Sequence, residues 1–278
     1  MKPLPRFIAC LAFILALAGC GSTIASRTHL AAGIAAGQLP VHDLMPAGNF
    51  SLASYARFTK DGEAVRVYIE GDGLAWLGSR EPSRNPTPTN PVALRLAARD
   101  SAPNVVWLAR PCQYEGFSAT CPADYWTSMR FAPEVVFAYM EALDTLKQKH
   151  AVTGFELVGF SGGGAIATLL AARRGDILSL RTVAGNLDIA AFNGLHGVSP
   201  MPLSLNPRDV GAKIQHIPQL HFTGGNDDIV PQSIYDSFAL ASPNTPCLHH
   251  AVVKDAAHEK GWDEVWPKLL QYPLSCAS

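Results

Sequence analysis

Residues 155–172 read FELVGFSGGGAIATLLAA, and this stretch decides the fold class. Its apolar start predicts a buried strand, and its small apolar end predicts a helix. Between them lies the pattern Gly-x-Ser-x-Gly, formed by Gly159, Ser161 and Gly163. A strand-to-helix turn this tight leaves no room for side chains at the two glycines, and it lifts the serine hydroxyl clear of the sheet. The sequence therefore predicts an accessible hydroxyl at Ser161.

Strand and helix patterns alternate along the rest of the chain. Short apolar or alternating runs predict strands, and runs with apolar residues three and four apart predict helices. The predicted strands cover 51–59, 64–70, 105–109, 178–184, 218–223 and 247–253, and the predicted helices cover 92–100, 133–150, 231–240 and 262–271. Asp61-Gly62, between the first two strands, is typical of a hairpin turn.

This alternation predicts an α/β fold with a mostly parallel, twisted sheet and helices on both faces. With 48% hydrophobic residues, the chain has ample material for a core. Residues 186–215 have no clear period. We interpret them as a short insertion instead of a large cap domain.

A serine hydroxyl becomes a nucleophile only with a base within hydrogen-bond reach and an acid that holds the base. In α/β folds, such partners follow the carboxyl ends of strands. Asp227 and Asp228 follow a predicted strand, within the segment GNDDIVP at 225–231. Of the nine histidines, His258 alone follows both this turn and the last predicted strand.

These positions resemble the catalytic set of the α/β-hydrolase family, whose members carry nucleophile, acid and histidine in this chain order. The resemblance covers about residues 50–275 and includes a turn in which Gly precedes the acid and Val-Pro follows it. It implies that Ser161 is the nucleophile, Asp227 the acid and His258 the base. Asp228 stays a rival for the acid, because adjacent carboxylates cannot be told apart by pattern, and either could merely cap the next helix.

The same resemblance implies an oxyanion hole made of two backbone N–H groups. One belongs to Gly162, directly after the nucleophile. The other belongs to Asp72 or Gly73, in the segment EGDG at 70–73, where many relatives carry His-Gly. Glu70 in place of histidine is a departure from the family. A carboxylate at Asp72 would oppose an oxyanion unless the side chain turns away.

Aromatic and basic residues fall in the loops near this predicted site. Trp76, Tyr114, Trp126 and Phe160 could form an acyl pocket, although loop aromatics more often serve packing. We interpret Arg80, Arg84 and Arg110 as solvated surface residues, with binding of a carboxylate or phosphate as the alternative.

The chain contains six cysteines. Apart from Cys10 and Cys20 in the N-terminal segment, four cysteines are left, and an even number outside the cytoplasm indicates two disulfides. We favour Cys112 with Cys121, bracing a loop, and Cys247 with Cys276, tying the tail to a late strand. Sequence alone allows three pairings. No close cluster of cysteine and histidine predicts a metal site.

The N-terminus predicts a processing segment. Basic residues at Lys2 and Arg6 precede a short apolar run, and Leu-Ala-Gly-Cys at 17–20 resembles the lipobox of bacterial lipoproteins. That resemblance implies a signal peptide at 1–19 and a lipid on Cys20; an ordinary cleaved signal is the alternative. We expect a tether at 20–45, a catalytic domain at 46–278, and a cell-envelope location on the periplasmic side, with the outer membrane favoured by Gly21.

Together these features predict a lipid-anchored serine hydrolase that cleaves an ester-type acyl bond of a small-molecule or lipid substrate. The alternatives are a peptidase or amidase on the same fold, and a non-catalytic binding lipoprotein of the envelope. No metal or cofactor is implied. Nothing suggests a nucleic-acid partner, since the formal net charge is −1 and the chain has no basic run.

Overall fold

The computed structural model describes residues 23–78, 81–118, 121–242 and 245–276. An eight-stranded sheet forms its centre. The strands are β1 (Val41–Ala47), β2 (Phe50–Phe58), β3 (Val65–Ile69), β4 (Asn104–Leu108), β5 (Phe155–Phe160), β6 (Ile177–Val183), β7 (Gln219–Gly224) and β8 (Leu248–Val253).

The strands lie in the order β1-β2-β4-β3-β5-β6-β7-β8. β1 pairs antiparallel with β2, and β2 pairs antiparallel with β4, whereas every pair from β4 to β8 is parallel. The carboxyl ends of the parallel strands therefore lie at one edge of the sheet. The predicted mostly parallel sheet is confirmed.

The predicted hairpin between β2 and β3 is wrong, because β4 lies between these two strands. The side chain of Asn104, at the start of β4, gives the physical reason. Its Oδ1 accepts a hydrogen bond from the N–H of Lys60, and its Nδ2 donates to the carbonyl oxygens of Lys60 and Ala64. These bonds hold the turn around the beginning of β4, so the turn reverses the chain without pairing its two strands.

Helices cover both faces of the sheet, as predicted. They are α1 (Ile24–Ala35), α2 (Val92–Ala98), α3 (Pro133–His150), α4 (Gly162–Ala171), α5 (Ile189–His196), α6 (Gln232–Ala239) and α7 (Trp266–Leu269). Side chains of β3 alternate between the faces. Val67 and Ile69 join the apolar core with α3 and α4, whereas Tyr68 joins the core with α1, α2 and α7.

The segment before the domain differs from the tether predicted at 20–45. In its described part, α1 buries Ala31 and Ala35 in the same core as α2, and β1 pairs along its whole length with β2. Leu39, between these two elements, is fully buried. The apolar pattern of α1 is weak in the sequence, because the buried face of this helix consists of alanines instead of large apolar residues.

The insertion at 186–215 folds into α5 and a 3₁₀ helix, Pro207–Lys213. Asp188 caps α5 by accepting hydrogen bonds from the N–H groups of Ala190 and Ala191. This segment is short and does not itself form a large cap domain over the carboxyl edge of the sheet. Among the described helices, none is long and apolar enough to cross a membrane.

The described residues contain two disulfides, and these have the favoured pairing. Cys112–Cys121 closes the loop that follows β4, and Cys247–Cys276 joins the start of β8 to the C-terminal tail. The final helix is shorter than the predicted 262–271. The indole N–H of Trp262 contacts the carbonyl oxygens of Ala257 and His258, which keeps the preceding residues in a turn.

Candidate active site

Ser161 occupies the turn between β5 and α4. Its backbone has φ 50° and ψ −118°, a strained conformation for a residue with a Cβ. A Cβ on Gly159 would lie 2.3 Å from the carbonyl oxygen of Gly163, and a Cβ on Gly163 would lie 2.1 Å from that of Ile69. The two flanking glycines are therefore required for the turn to pack against the end of β3.

Two hydrogen bonds connect Ser161, His258 and Asp227. His258 Nε2 lies 3.0 Å from Ser161 Oγ, and its Nδ1 lies 2.9 Å from Asp227 Oδ2. Because a carboxylate only accepts hydrogen bonds, Nδ1 carries the proton, and Nε2 of the neutral ring is free to accept from the serine hydroxyl. The side chain of Asp227 is fully buried, and that of His258 is 15% exposed.

The structure separates the two adjacent carboxylates that the sequence could not. Asp227 is buried, and its Oδ1 accepts hydrogen bonds from the N–H groups of Ile229 and Val230. Asp228 is exposed. Neither residue caps α6, whose N-cap is Pro231 without a side-chain hydrogen bond. Geometry therefore pairs Asp227, and not Asp228, with the histidine.

The loop after β3 lies beside the N-terminus of α4. The carbonyl oxygen of Gly71 accepts a hydrogen bond from Gln113 Nε2, which fixes this peptide unit. No acceptor is found within the described ranges for the N–H groups of Asp72, Gly73 or Gly162. These donors, which the family resemblance assigns to an oxyanion hole, are thus free of protein partners.

Glu70 is buried beneath this loop. Its carboxylate accepts hydrogen bonds from the N–H groups of Gly71, Ala93 and Leu94 and from the indole of Trp107. Burial raises the pKa of Glu70 to about 7, while the four donors act in the opposite direction. The carboxylate therefore joins the end of β3 to α2 and β4, a positioning task that sequence reasoning left open.

The side chain of Asp72 does not turn away from the site, although a carboxylate there would oppose a nearby oxyanion. Its Oδ1 lies so close to Gly162 that a Cβ there would come within 2.0 Å. Two guanidinium groups compensate its charge instead. Arg110 Nη1 lies 2.8 Å from Oδ1, and Arg130 Nε lies 3.2 Å from Oδ2. Arg110 is buried, so its interpretation as a solvated surface residue is wrong.

A cavity of about 1040 Å³ opens in front of Ser161. Its wall combines residues of the loop after β3, the segment 127–130, α5 with the following residues, and the loop of His258. Apolar side chains include Trp76, Phe160, Phe192, Val198, Met201 and Ile229, and polar or charged ones include Asp72, Arg130, Asn186, Asn193, His196 and Glu259. The cavity is large enough for a small organic substrate.

Comparisons with known proteins rest on structure alone. No protein-family model matches the sequence, and no curated protein is significantly similar to it. Esterase Pf2001 of Pyrococcus furiosus superposes with a TM-score of 0.58 at 13% identity, over 84% of this chain and 88% of that chain. Est1E of Butyrivibrio proteoclasticus superposes with a TM-score of 0.54 at 14% identity, over 82% and 97%.

The protein has the α/β-hydrolase fold. A puromycin-hydrolysing peptidase of Mycobacterium tuberculosis shares this fold with a TM-score of 0.57 at 13% identity, over 83% of this chain and 37% of that chain. At identities this low, the similarity establishes the α/β-hydrolase fold and leaves the reaction to be argued from the site.

Within the α/β-hydrolase fold, the structure brings together some of the predicted residues and separates others. Ser161, Asp227, His258 and the free N–H groups meet at the carboxyl edge of the sheet. Of the aromatic candidates, Trp76 and Phe160 line the cavity, whereas Tyr114 and Trp126 are buried outside its wall. Cys20 and Arg80 lie outside the described residues.

Arg130 is the site residue that sequence reasoning missed. It lies just before the predicted helix at 133–150, in a loop with no motif. Its contact with Asp72 joins positions far apart in the chain, so no local pattern announces it. The departure at Asp72 was the available signal, because a carboxylate partly removed from water favours a cationic or hydrogen-bonding partner.

Proposed function

We propose that the protein is a serine hydrolase that cleaves an ester-type acyl bond through a Ser161-His258-Asp227 triad and an acyl-enzyme. One observation carries the proposal: the imidazole of His258 lies within 3.0 Å of both Ser161 Oγ and Asp227 Oδ2. This is the geometry that a base needs to activate a hydroxyl while an acid orients the ring.

In this mechanism, Ser161 Oγ attacks the substrate carbonyl while His258 Nε2 takes the hydroxyl proton. Asp227 holds the Nδ1 proton and stabilises the imidazolium that forms. His258 then gives its proton to the leaving alcohol, and an ester links the acyl group to Ser161. Water, activated by the same histidine, hydrolyses this ester and regenerates the serine.

The negative charge on the carbonyl oxygen needs donors that are already in place. The N–H groups of Gly162 and Asp72 are the candidates, because both lack protein acceptors among the described residues and the side chain of Asp72 lies against Gly162. The first of them also belongs to the N-terminus of α4, where the helix dipole favours negative charge. Gly73 is the alternative second donor.

The test is replacement of the nucleophile. We expect Ser161→Ala to abolish hydrolysis of short 4-nitrophenyl esters and covalent labelling by a fluorophosphonate probe, since the proposed acyl-enzyme forms on Ser161 Oγ. Ser199→Ala is the matched control, because Ser199 lines the same cavity without a histidine nitrogen within hydrogen-bond distance. Labelling that persists in Ser161→Ala would remove this residue from the role, and failure of the native protein to react would favour a non-catalytic binding lipoprotein.

Amide hydrolysis is the second candidate function, and the shared fold of the puromycin-hydrolysing peptidase favours testing it. The same three side chains would serve, with His258 protonating an amine in place of an alcohol. Matched 4-nitrophenyl ester and 4-nitroanilide substrates with one acyl group separate the two activities. A kcat/KM for the anilide that approaches that for the ester would favour the amidase.

We also propose that the protein is attached to the periplasmic side of the cell envelope by a lipid on Cys20. The support is the lipobox-like sequence at 17–20 alone. In a bacterial host, we expect the native chain to incorporate radiolabelled palmitate and to sediment with membranes. Cys20→Ser should lose both properties, and sedimentation of that variant with membranes would contradict a lipid anchor.

A further inference from the structure

Arg130 is a buried cation whose hydrogen-bond donors are unused. Only 8% of its surface is exposed. Its Nε lies 3.2 Å from Asp72 Oδ2, yet the N–H is not directed at that oxygen and Nε has no hydrogen bond. Across the part of the chain that the structure describes, no acceptor is found for any N–H of this guanidinium. A buried N–H such as that of Nε nearly always finds a partner.

The charges around Arg130 leave one positive charge uncompensated. The carboxylate of Asp72 is shared with Arg110, whose Nη1 lies 2.8 Å from it. Arg110 also donates from Nη2 to the backbone carbonyl oxygen of Arg130. Two cations thus face one carboxylate. Glu70, the acid beneath the loop, is occupied by its own four donors.

Arg130 lines the candidate active-site cavity, together with Ser161 and His258. A planar guanidinium matches the two oxygens of a carboxylate better than it matches water. An anionic group in the cavity would supply the acceptors and the charge that Arg130 lacks.

We propose that Arg130 is a specificity residue that binds a carboxylate on the acyl part of the substrate. This inference rests on the proposed ester hydrolysis. The leaving group must lie next to His258, which protonates it, and Glu259 on that side of the cavity would repel an anion. The acyl chain therefore extends along the remaining wall, where the loop of Asp72 and Arg130 lies.

The experiment compares two esters that differ in one group. Mono-4-nitrophenyl glutarate and 4-nitrophenyl pentanoate share the leaving group and a five-carbon acyl chain, but only the first carries a terminal carboxylate. We expect the native enzyme to favour the glutarate in kcat/KM. Arg130→Gln should reduce the ratio of the two kcat/KM values by about 10- to 100-fold, mainly through KM, as expected for loss of a charge-assisted hydrogen bond. Arg130→Lys keeps the positive charge but lacks the planar set of N–H donors, so its ratio should lie between those of the native enzyme and Arg130→Gln.

Arg84→Gln is the control, because Arg84 is exposed and does not line the cavity; its ratio should equal that of the native enzyme. An unchanged ratio in Arg130→Gln would overturn the inference. Equal loss on both esters would also overturn it, and would assign Arg130 to holding Asp72. If circular dichroism shows that Arg130→Gln does not fold, the ratio for Arg130→Lys and the ratio for the native enzyme test the inference instead. A native enzyme that reacts with neither ester nor fluorophosphonate refutes the proposed function, whereas reaction without preference for glutarate refutes only the carboxylate site.

Discussion

Asp227 uses its two carboxylate oxygens for different purposes. Oδ1 accepts from the N–H groups of Ile229 and Val230 and so shapes the turn after β7, whereas Oδ2 faces His258. An asparagine would keep one oxygen for the turn but would present an amide to the imidazole. The ring would then hold the wrong tautomer, with Nε2 protonated and unable to accept from Ser161.

We therefore expect Asp227→Asn to lower kcat for 4-nitrophenyl esters by roughly 10⁴-fold, as in other triads that lose their acid. Asp228→Asn should change kcat by less than about 2-fold, because a side chain exposed to solvent away from the histidine does not hold the ring. Steady-state kinetics of both variants, with thermal unfolding to verify folding, make the comparison. Equal effects of the two substitutions would contradict the assignment of Asp227.

At the scale of secondary-structure elements, the site depends on contacts that tie loops to their neighbours. Glu70 connects the end of β3 to α2 and β4 through four accepted hydrogen bonds. Asp188 caps α5, which forms one wall of the cavity, and also accepts from Ser237 on α6. Rigid elements thus hold the loops that carry the candidate chemistry.

The N-terminal elements give a prediction at the same scale. A tether would be dispensable, whereas α1 buries apolar surface and Arg27 donates from Nη1 to the carbonyl oxygen of Thr87 in the loop before α2. We expect deletion of 23–39 to lower the melting temperature by several degrees, since losing buried contacts worth a few kcal/mol has that effect in a chain of this size. The measurement compares the melting temperatures of chains that start at residues 23 and 40. Equal melting temperatures would restore the tether interpretation.

Across the whole molecule, two buried titratable groups act on stability in opposite directions. Burial lowers the pKa of His221 to about 3, with a smaller contribution from the charge of His250. Burial raises the pKa of Glu70 to about 7. Stability contributed by His221 is complete above its unfolded pKa, about 6.5, and is lost as pH falls toward 3. Stability contributed by Glu70 is complete below about pH 4.5 and is lost as pH rises through 7.

We expect His221→Gln to flatten the acid side of the stability profile. Between about pH 6.5 and 3, the native protein takes up one more proton at this site on unfolding, which gives a slope of up to about 1.4 kcal/mol per pH unit. Urea unfolding at several pH values measures the slope. His216→Gln is the control, because His216 is exposed and should leave the slope unchanged. A His221→Gln profile as steep as the native one would assign the acid sensitivity to other groups.

The sequence by itself determined the fold class, the turn that holds Ser161 and the chain positions of its two partners. Strand and helix periods, glycine sterics and chain order are local properties, so they can be read along one chain. Contacts between distant parts of the chain are not local properties, and the sequence predicted them less well. The Asp61-Gly62 turn predicted a hairpin, but strand order depends on which distant strand fills the gap, and here it is β4. The buried residues of α1 are alanines, so the sequence showed no apolar stripe there and predicted a tether.

Only the tertiary structure decided which of two adjacent carboxylates faces the histidine, since Asp227 and Asp228 differ in burial and not in chemistry. Only it revealed that the carboxylate of Asp72 stays at the site because Arg110 and Arg130 lie against it. Charge compensation in a buried site acts over a few ångströms through space, between residues separated by dozens of positions in the chain. No periodicity or motif encodes such a contact.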